Sequence, residues 1–474
     1  MSLTRRLVLV VAVLLFLAAR VIPSLNDESL WGDEGWSVYF TNGDNLYDVT
    51  AAMVEDRHPP LYFWALFGWR GLAGDDEVAM RFLASLASLL AGALLFQLAY
   101  RLFDGRAALG GLFFFALLDL QHVFSVEVRH YSPFLLWVTA STLLLIVWIR
   151  APRRGVAFGL VLALVGGLYT HVLMAGVMLW QALIAAGWLL PAAPGRLARL
   201  ASLYALASLA YIPWIVVGYY QFLVNGGRTP SFPVTWDSAA HFAPQFLGSP
   251  LWLGGGLLLV GILSALRPRG RHDRAGVNVA IVALLVPLAL VVVLESDQVS
   301  LLNDRNLSML IPFISLLVGL GLARLPRALT PLVVAFMLVH GALTVDADFV
   351  SPPWRPISEF VAPHQVPGEP LLRDVGGADA ALDYHLRHAG LQDTRMVSLY
   401  MLREFPPYAD FELYTHLRFI ALDGATGFWF ISWGEDPNIT AAFVDWGFER
   451  TATYQDDHLG SPIYMFRYEA REAP

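Results

Sequence analysis

The 474-residue chain contains no cysteine. That excludes a disulfide framework, a thiolate nucleophile and any cysteine metal site. Catalysis by this chain would have to rest on Asp, Glu, His, Arg, Tyr or a hydroxyl. Lysine is absent too, so all 31 basic residues are arginines. Charge as a whole is scarce. Charged residues make up 15% and hydrophobic residues 57% of the chain, with a mean hydropathy of +0.55, against roughly 25% charged in ordinary soluble domains. Such a chain is solvated largely by lipid. Nor is there a footprint for nucleic acid, because 31 basic residues face 39 acidic ones, for a net charge of -8.

The average hides a division near residue 346. Residues 346–474 carry 20 of the 39 acids and 9 of the 31 arginines. Before that point, apolar runs alternate with short polar loops. A helix needs about 20 mostly apolar residues to cross a bilayer. Eleven candidate spans fit, at 7–25, 80–100, 107–124, 132–149, 156–173, 175–190, 200–217, 251–266, 277–294, 307–323 and 329–345. The expected fold class is therefore a polytopic α-helical membrane protein with a small C-terminal α/β domain. The expected domains are a membrane domain at 1–345, with outer loops at 26–79 and 218–250, and a soluble domain at 346–474. The first apolar run is long enough to span, and Ala18-Ala19-Arg20 makes a poor cleavage site, so it reads as a helix and not a cleaved leader.

Arginine sets the expected orientation, because short Arg-rich loops stay on the cytoplasmic side. Alternate loops hold Arg5 and Arg6, Arg101 and Arg106, Arg150, Arg153 and Arg154, Arg196 and Arg199, Arg267 to Arg274, and Arg324 and Arg327. The opposite loops collect the acids. Eleven crossings place the N-terminus inside and the C-terminal domain outside the cytoplasmic membrane.

Several polar groups border this hydrocarbon. Asp33 and Glu34 lie between Trp31 and Trp36; adjacent carboxylates repel one another, which makes one of them a candidate general base. His58-Pro59-Pro60 cannot continue a helix and predicts a rigid turn before an interfacial helix at 61–69. Ser125-Val-Glu127-Val-Arg129-His130-Tyr131 follows the third span. Glu127, Arg129 and Tyr131 share a face if that link is extended, whereas Glu127 and Tyr131 stack if it is helical. Ionisable groups beside hydrocarbon normally pair or line a polar cavity, and both readings stay open for Glu127 and Arg129. His171, Arg81, Arg305, Glu295 and Asp297 complete the set. All fall on the outer side with no inner counterpart. A transporter should place such groups near the bilayer centre, and an outward-facing enzyme need not.

Taken in order, Asp33-Glu34, His58-Pro-Pro-Leu-Tyr62, Glu77 with Arg81, Ser125-x-Glu-x-Arg-x-Tyr131 and Tyr169-Thr-His171 resemble the GT-C membrane glycosyltransferases. The likeness is to the branch of protein O-mannosyltransferases and the lipid A aminoarabinose transferase. It covers roughly residues 1–345. The resemblance implies a polyprenyl-phosphate sugar donor, transfer outside the cytoplasmic membrane to a glycan, lipid or protein acceptor, and inversion at the anomeric carbon. It implies Asp33 as general base and Glu34 as its partner. His58, Arg81, Arg129 and Arg305 become the candidates for the donor phosphate, Glu127 and Tyr131 for the sugar or for holding Arg129, and His171 for a position near the site. Some relatives use a Lys at the phosphate, which this chain lacks. Asp33, Glu34 and Glu127 could gather oxygen ligands for Mg2+ or Mn2+, so metal dependence stays open. The competing reading is a polyprenyl-lipid or glycan transporter; a membrane scaffold is a third.

The loop at 218–250 is long enough for a lid hinged at Gly226-Gly227, or for a plain connection. In the tail, strands are expected near 371–372, 396–400, 417–422, 428–432 and 462–468, with helices at 356–364, 377–389 and 436–447.

Overall fold

A computed structural model describes residues 3–225, 235–266, 273–295, 301–343, 351–399, 422, 424–458 and 461–471. The chain forms two compact units. One comprises residues 1–25 and 43–347, the other residues 26–42 and 348–474.

In the first unit, an apolar helix or a bent helix pair occupies each of the eleven expected spans. Six helices are long and apolar enough to cross a membrane: Thr4–Asn26, Glu77–Leu102, Tyr131–Arg150, Pro194–Gln221, Asp273–Leu294 and Asp304–Arg324. The count rises to eight if each of two bent pairs is one span. The pair Gly105–Leu117 and Asp119–Val126 bends by 64°, and Trp236–Leu247 and Leu251–Leu263 by 79°. Arg154–Thr170, Met174–Leu189 and Leu329–Leu343 are shorter. The third, fifth and sixth expected spans are thus one bent pair and two short helices.

Local chemistry sets the boundaries. Asp76 caps Glu77–Leu102 by accepting from the Ala79 amide at 2.9 Å, and Asp104 caps Gly105–Leu117 by accepting from Arg106 and Ala107. Within the expected outer loop at 218–250, the described residues are largely helical. One helix continues to Asn225 through Pro213, and another, Trp236–Leu247, starts on a Thr235 cap. Gly226-Gly227 lies outside the described residues.

At the centre of this unit the helix Ile311–Arg324 is buried almost throughout. It has glycine on opposite sides. A Cβ on Gly319 would lie 2.5 Å from the Ala107 carbonyl oxygen, and one on Gly321 would lie 2.8 Å from the Leu257 carbonyl carbon. Small residues let membrane helices approach to backbone contact, where dispersion replaces a hydrophobic drive. Polar side chains tie other helices together. Gln181 Nε2 donates to Ser141 and Thr142, and the Tyr204 hydroxyl donates to Gln181 Oε1 at 2.8 Å. Gln121, Ser88 and Ser125 form a second such group.

The second unit holds a five-stranded sheet. Its strands are β1 Leu371–Asp374, β2 Met396–Ser398, β3 Gly427–Ser432, β4 Phe448–His458 and β5 Ser461–Ala470. The order is β2-β1-β3-β5-β4. The first three strands are parallel, and β5 is antiparallel to both β3 and β4. Phe428, Phe430, Phe443, Phe466 and Tyr468 pack into one core. Helices Trp354–Val361, Asp379–Leu386 and Pro437–Asp445 match three expected helices. Strand β4 is absent from the sequence reading, and most of the expected strand at 417–422 lies outside the described residues.

The second unit also takes in a helix from the expected first outer loop, Gly32–Phe40. Gly35 lies directly against Ala380 and Ala381. The Trp36 indole donates to the Gly377 carbonyl at 2.8 Å, the Leu30 amide to His385 Nε2 at 3.1 Å, and the Ser351 amide to the Glu28 carboxylate at 2.6 Å.

Candidate active site

Asp33 and Glu34 occupy the first turn of Gly32–Phe40. Asp33 is half-buried, while Glu34 is 1% exposed. The Glu34 carboxylate accepts from the Trp31 amide at 3.2 Å, so it caps the turn that carries Asp33. Trp36 is committed to Gly377 within this unit.

The first unit gathers a separate group of side chains, each where a helix begins or ends. Asp56 follows the helix Leu46–Glu55. His58 precedes Pro60, and the double proline enforces the turn into the helix Leu61–Ala73. The helix Asp119–Val126 stops at Glu127, whose backbone is extended (φ -96°, ψ 141°), and the next starts at Tyr131. The link is therefore extended at Glu127 and helical only from Tyr131. His171 ends Arg154–Thr170. Arg305 sits in the short helix Asp304–Leu307, capped by Asn303.

These termini converge on three imidazoles. The His130 ring lies 4.6 Å from that of His58 and 5.1 Å from that of His171, centroid to centroid. Tyr131 and Tyr62 flank it at 4.6 and 6.2 Å. The Arg129 guanidinium stands 5.7 Å over the Tyr131 ring. His58 donates from Nδ1 to Asp56 at 2.8 Å. His171 Nδ1 accepts from the Leu173 amide at 3.2 Å, which places the proton of the neutral ring on Nε2.

Charge is set by this crowding. Burial pushes the Asp56 carboxyl up, but the charge and hydrogen bond of His58, with Arg129 nearby, outweigh it and hold the carboxyl below its ordinary value. His130 is held well below an ordinary imidazole, first by burial and then by the charges of His58, Arg129, His171 and Arg305. It is therefore neutral.

Of the expected site residues, His58, Arg129, Tyr131, His171 and Arg305 come together, and buried Glu127 lies two residues from Arg129. Arg81 is buried and donates to the Leu25 carbonyl at 3.0 Å. Glu295 is a loop anchor, since its carboxylate accepts from Leu301 and Leu302. Asp297 lies outside the described residues. Asp56 and His130 were not expected. Asp-x-His before a double proline, and a second imidazole between Arg129 and Tyr131, were the available signals. Among the described residues, no three His, Asp or Glu side chains are placed to hold a metal ion.

The family model of dolichyl-phosphate-mannose-protein mannosyltransferases matches residues 57–220. That segment contains every expected site residue except Asp33, Glu34, Glu295, Asp297 and Arg305. No curated protein sequence matches the chain. Among solved structures, the chain is similar to ArnT from Cupriavidus metallidurans in the apo state, with a TM-score of 0.67, 16% identity and 98% of each chain covered. The same protein bound to undecaprenyl phosphate gives 0.61 at 16% identity and the same coverage. Arabinofuranosyltransferase AftD from Mycobacteria gives 0.53 at 15% identity, covering 99% of this chain and 42% of that one. The resemblance read from the motifs is borne out at the level of architecture: the chain carries the GT-C fold of membrane glycosyltransferases.

Proposed function

We propose that this protein transfers a sugar from a polyprenyl-phosphate-linked donor to an acceptor hydroxyl at the outer face of the cytoplasmic membrane, with inversion at the anomeric carbon. The observation that carries the reading is the cluster of buried His130, His171 and Arg129 with half-buried His58 and Arg305 in a lipid-solvated unit. Guanidinium stays charged when desolvated and binds phosphate bidentately. The family match at residues 57–220 and the likeness to a structure bound to undecaprenyl phosphate support the same donor class.

In this reading Asp33 takes the proton from the acceptor hydroxyl as its oxygen bonds to the anomeric carbon. The bond from that carbon to the phosphate oxygen breaks on the opposite face. A phosphodiester with one negative charge becomes a phosphomonoester with two. Arg129 and Arg305, with His58 oriented by Asp56, stabilise the added charge where it develops. Glu34 acts on Asp33 through the cap it makes. Tyr131 holds Arg129 through its ring, and Arg81 fixes the start of its helix. The N-terminus is cytoplasmic, and the 346–474 domain is extracytoplasmic and contributes to acceptor binding. No step requires a metal.

The test is purified full-length protein in lipid nanodiscs, given undecaprenyl-phosphate-linked sugars and an acceptor mixture, with glycosylated product and released undecaprenyl phosphate measured together. Asp33→Asn should lower transfer by about 10²–10⁴-fold, the usual contribution of a general base, while undecaprenyl phosphate still binds. Full activity in that variant would overturn the base assignment. Movement of the intact donor across the bilayer without release of the sugar would favour a transporter.

A further inference from the structure

His130 is fully buried, and neither of its ring nitrogens has a hydrogen-bond partner among the described residues. We infer that His130 is a donor-binding residue: one ring nitrogen donates to an oxygen of the substrate phosphate, and the other accepts from a hydroxyl of the attached sugar. The inference rests on the glycosyltransferase reading and specifies the site further.

A buried polar group left unpaired opposes folding, so natural interiors almost always satisfy it. His130 is unpaired at both ends, in the middle of a cationic cluster. Its neighbours are already engaged. His58 Nδ1 is occupied by Asp56, and His171 Nδ1 by the Leu173 amide. The rings of Tyr131 and Tyr62 pack beside the His130 imidazole and fix its plane. His58, at 4.6 Å from it, is partly open, with 28% of its side chain exposed. A ligand reaching the cluster past His58 would therefore meet His130 next.

The chemistry fits a phosphate-to-sugar linkage better than a bare anion. A protonated imidazole could only donate. Burial first, and then the charges of His58, Arg129, His171 and Arg305, keep this one neutral, and a neutral imidazole carries one donor and one acceptor. A free phosphate dianion has little use for the acceptor. A glycosyl phosphate offers both an acceptor oxygen and, on the sugar, a hydroxyl donor. The surrounding arginines supply the charge, and His130 supplies orientation.

Two variants of the full-length protein in nanodiscs test this. His130→Phe keeps a ring against His58 and His171 but removes both nitrogens. His130→Asn keeps a donor and an acceptor on a shorter side chain. The expected result for His130→Phe is at least a hundredfold loss of transfer, mostly in KM for the lipid-linked sugar, with a melting temperature equal to or above that of the wild type. His130→Asn should recover at least tenfold over His130→Phe. Should His130→Phe fail to fold, ¹⁵N-histidine labelling gives a second readout: the His130 ring signals should shift when a lipid-linked sugar is added. A folded His130→Phe with wild-type transfer overturns the inference and leaves the proposed function standing. So does an unmoved His130 signal in active wild-type protein. If the wild type shifts its His130 signal with a lipid-linked sugar yet never transfers it, the donor site stands and the transferase reading falls.

Discussion

Gly35 packs against Ala381 with no room for a side chain: a Cβ on Gly35 would lie 2.7 Å from the Ala380 carbonyl carbon and closer still to the Ala381 backbone. This contact between two backbones joins Gly32–Phe40 to the sheet-bearing unit together with the Trp36 and Leu30 hydrogen bonds. Nothing but glycine fits without moving one helix. Gly35→Val should destabilise this unit by about 2–3 kcal/mol, in the range of overpacking a tight interior. If Asp33 is the base, transfer should fall as well, although Gly35 touches no reacting atom. Limited proteolysis between residues 26 and 42, with a transfer assay, checks both; an unchanged digestion pattern would show that the contact tolerates the added carbons.

Glu34 separates capping from catalysis. Its carboxylate accepts from the Trp31 amide and is buried, so Glu34→Gln retains the accepting oxygen. That variant should keep the fold and most of the transfer activity. Glu34→Ala should lose about 1 kcal/mol, typical of a lost helix cap, and should lower kcat by loosening the turn that bears Asp33. A Glu34→Gln enzyme as inactive as Asp33→Asn would show that the charge itself is used.

The sequence reveals the membrane unit well because lipid imposes a simple rule, about 20 apolar residues per crossing, and among the described residues each apolar run from 7 to 343 contains helix. It is less informative where the rule fails. Met174–Leu189 and Leu329–Leu343 are short, and the run at 107–124 breaks at Leu118 into two helices. The tail was legible as alternating strand and helix patterns, but β4, with Thr451, Tyr454, Gln455 and two aspartates, looks polar and is secured by pairing with β5. The allocation of residues 26–42 to the second unit depends on Gly35 meeting Ala381 across more than 340 positions, a contact that no local pattern encodes. Asp56 and His130 escaped for a similar reason. Their meaning comes from His58, which the double proline turns toward them.

The central helix of the first unit offers a test of small-residue packing. A Cβ on Gly319 would press on Ala107 and Gly111, and one on Gly261 would lie 2.9 Å from the Leu317 carbonyl carbon. Gly319→Leu should force Gly105–Leu117 away from Ile311–Arg324 and lower the melting temperature in nanodiscs by several degrees or prevent accumulation of folded protein. By contrast, Gly187→Ala, on an open face with nothing within 4 Å of the added carbon, should be neutral. Equal behaviour of the two variants would mean that close backbone approach does not hold these helices together.

Asp379 should make the second unit sensitive to pH. Its carboxyl is 2% exposed and accepts from the Ser398 hydroxyl, with the Arg373 Nε at 3.7 Å. Burial pushes its pKa up to about 7; Arg373 opposes the shift, and Asp374 and Asp383 add to it. The folded state thus holds a proton that the unfolded chain, near 3.9, gives up. That contribution is fully present below about pH 4 and is lost as pH rises through 7, so stability falls across this window by up to about 4 kcal/mol. Asp379→Asn keeps an acceptor for Ser398 and leaves Arg373 its bond to Asp383 at 3.1 Å. Protection of the Leu371 and Leu372 amides, measured by hydrogen exchange in the full-length protein and corrected for intrinsic rates, should decline from pH 5 to 8 in the wild type and stay level in Asp379→Asn. The same decline in both proteins would place the titrating group elsewhere.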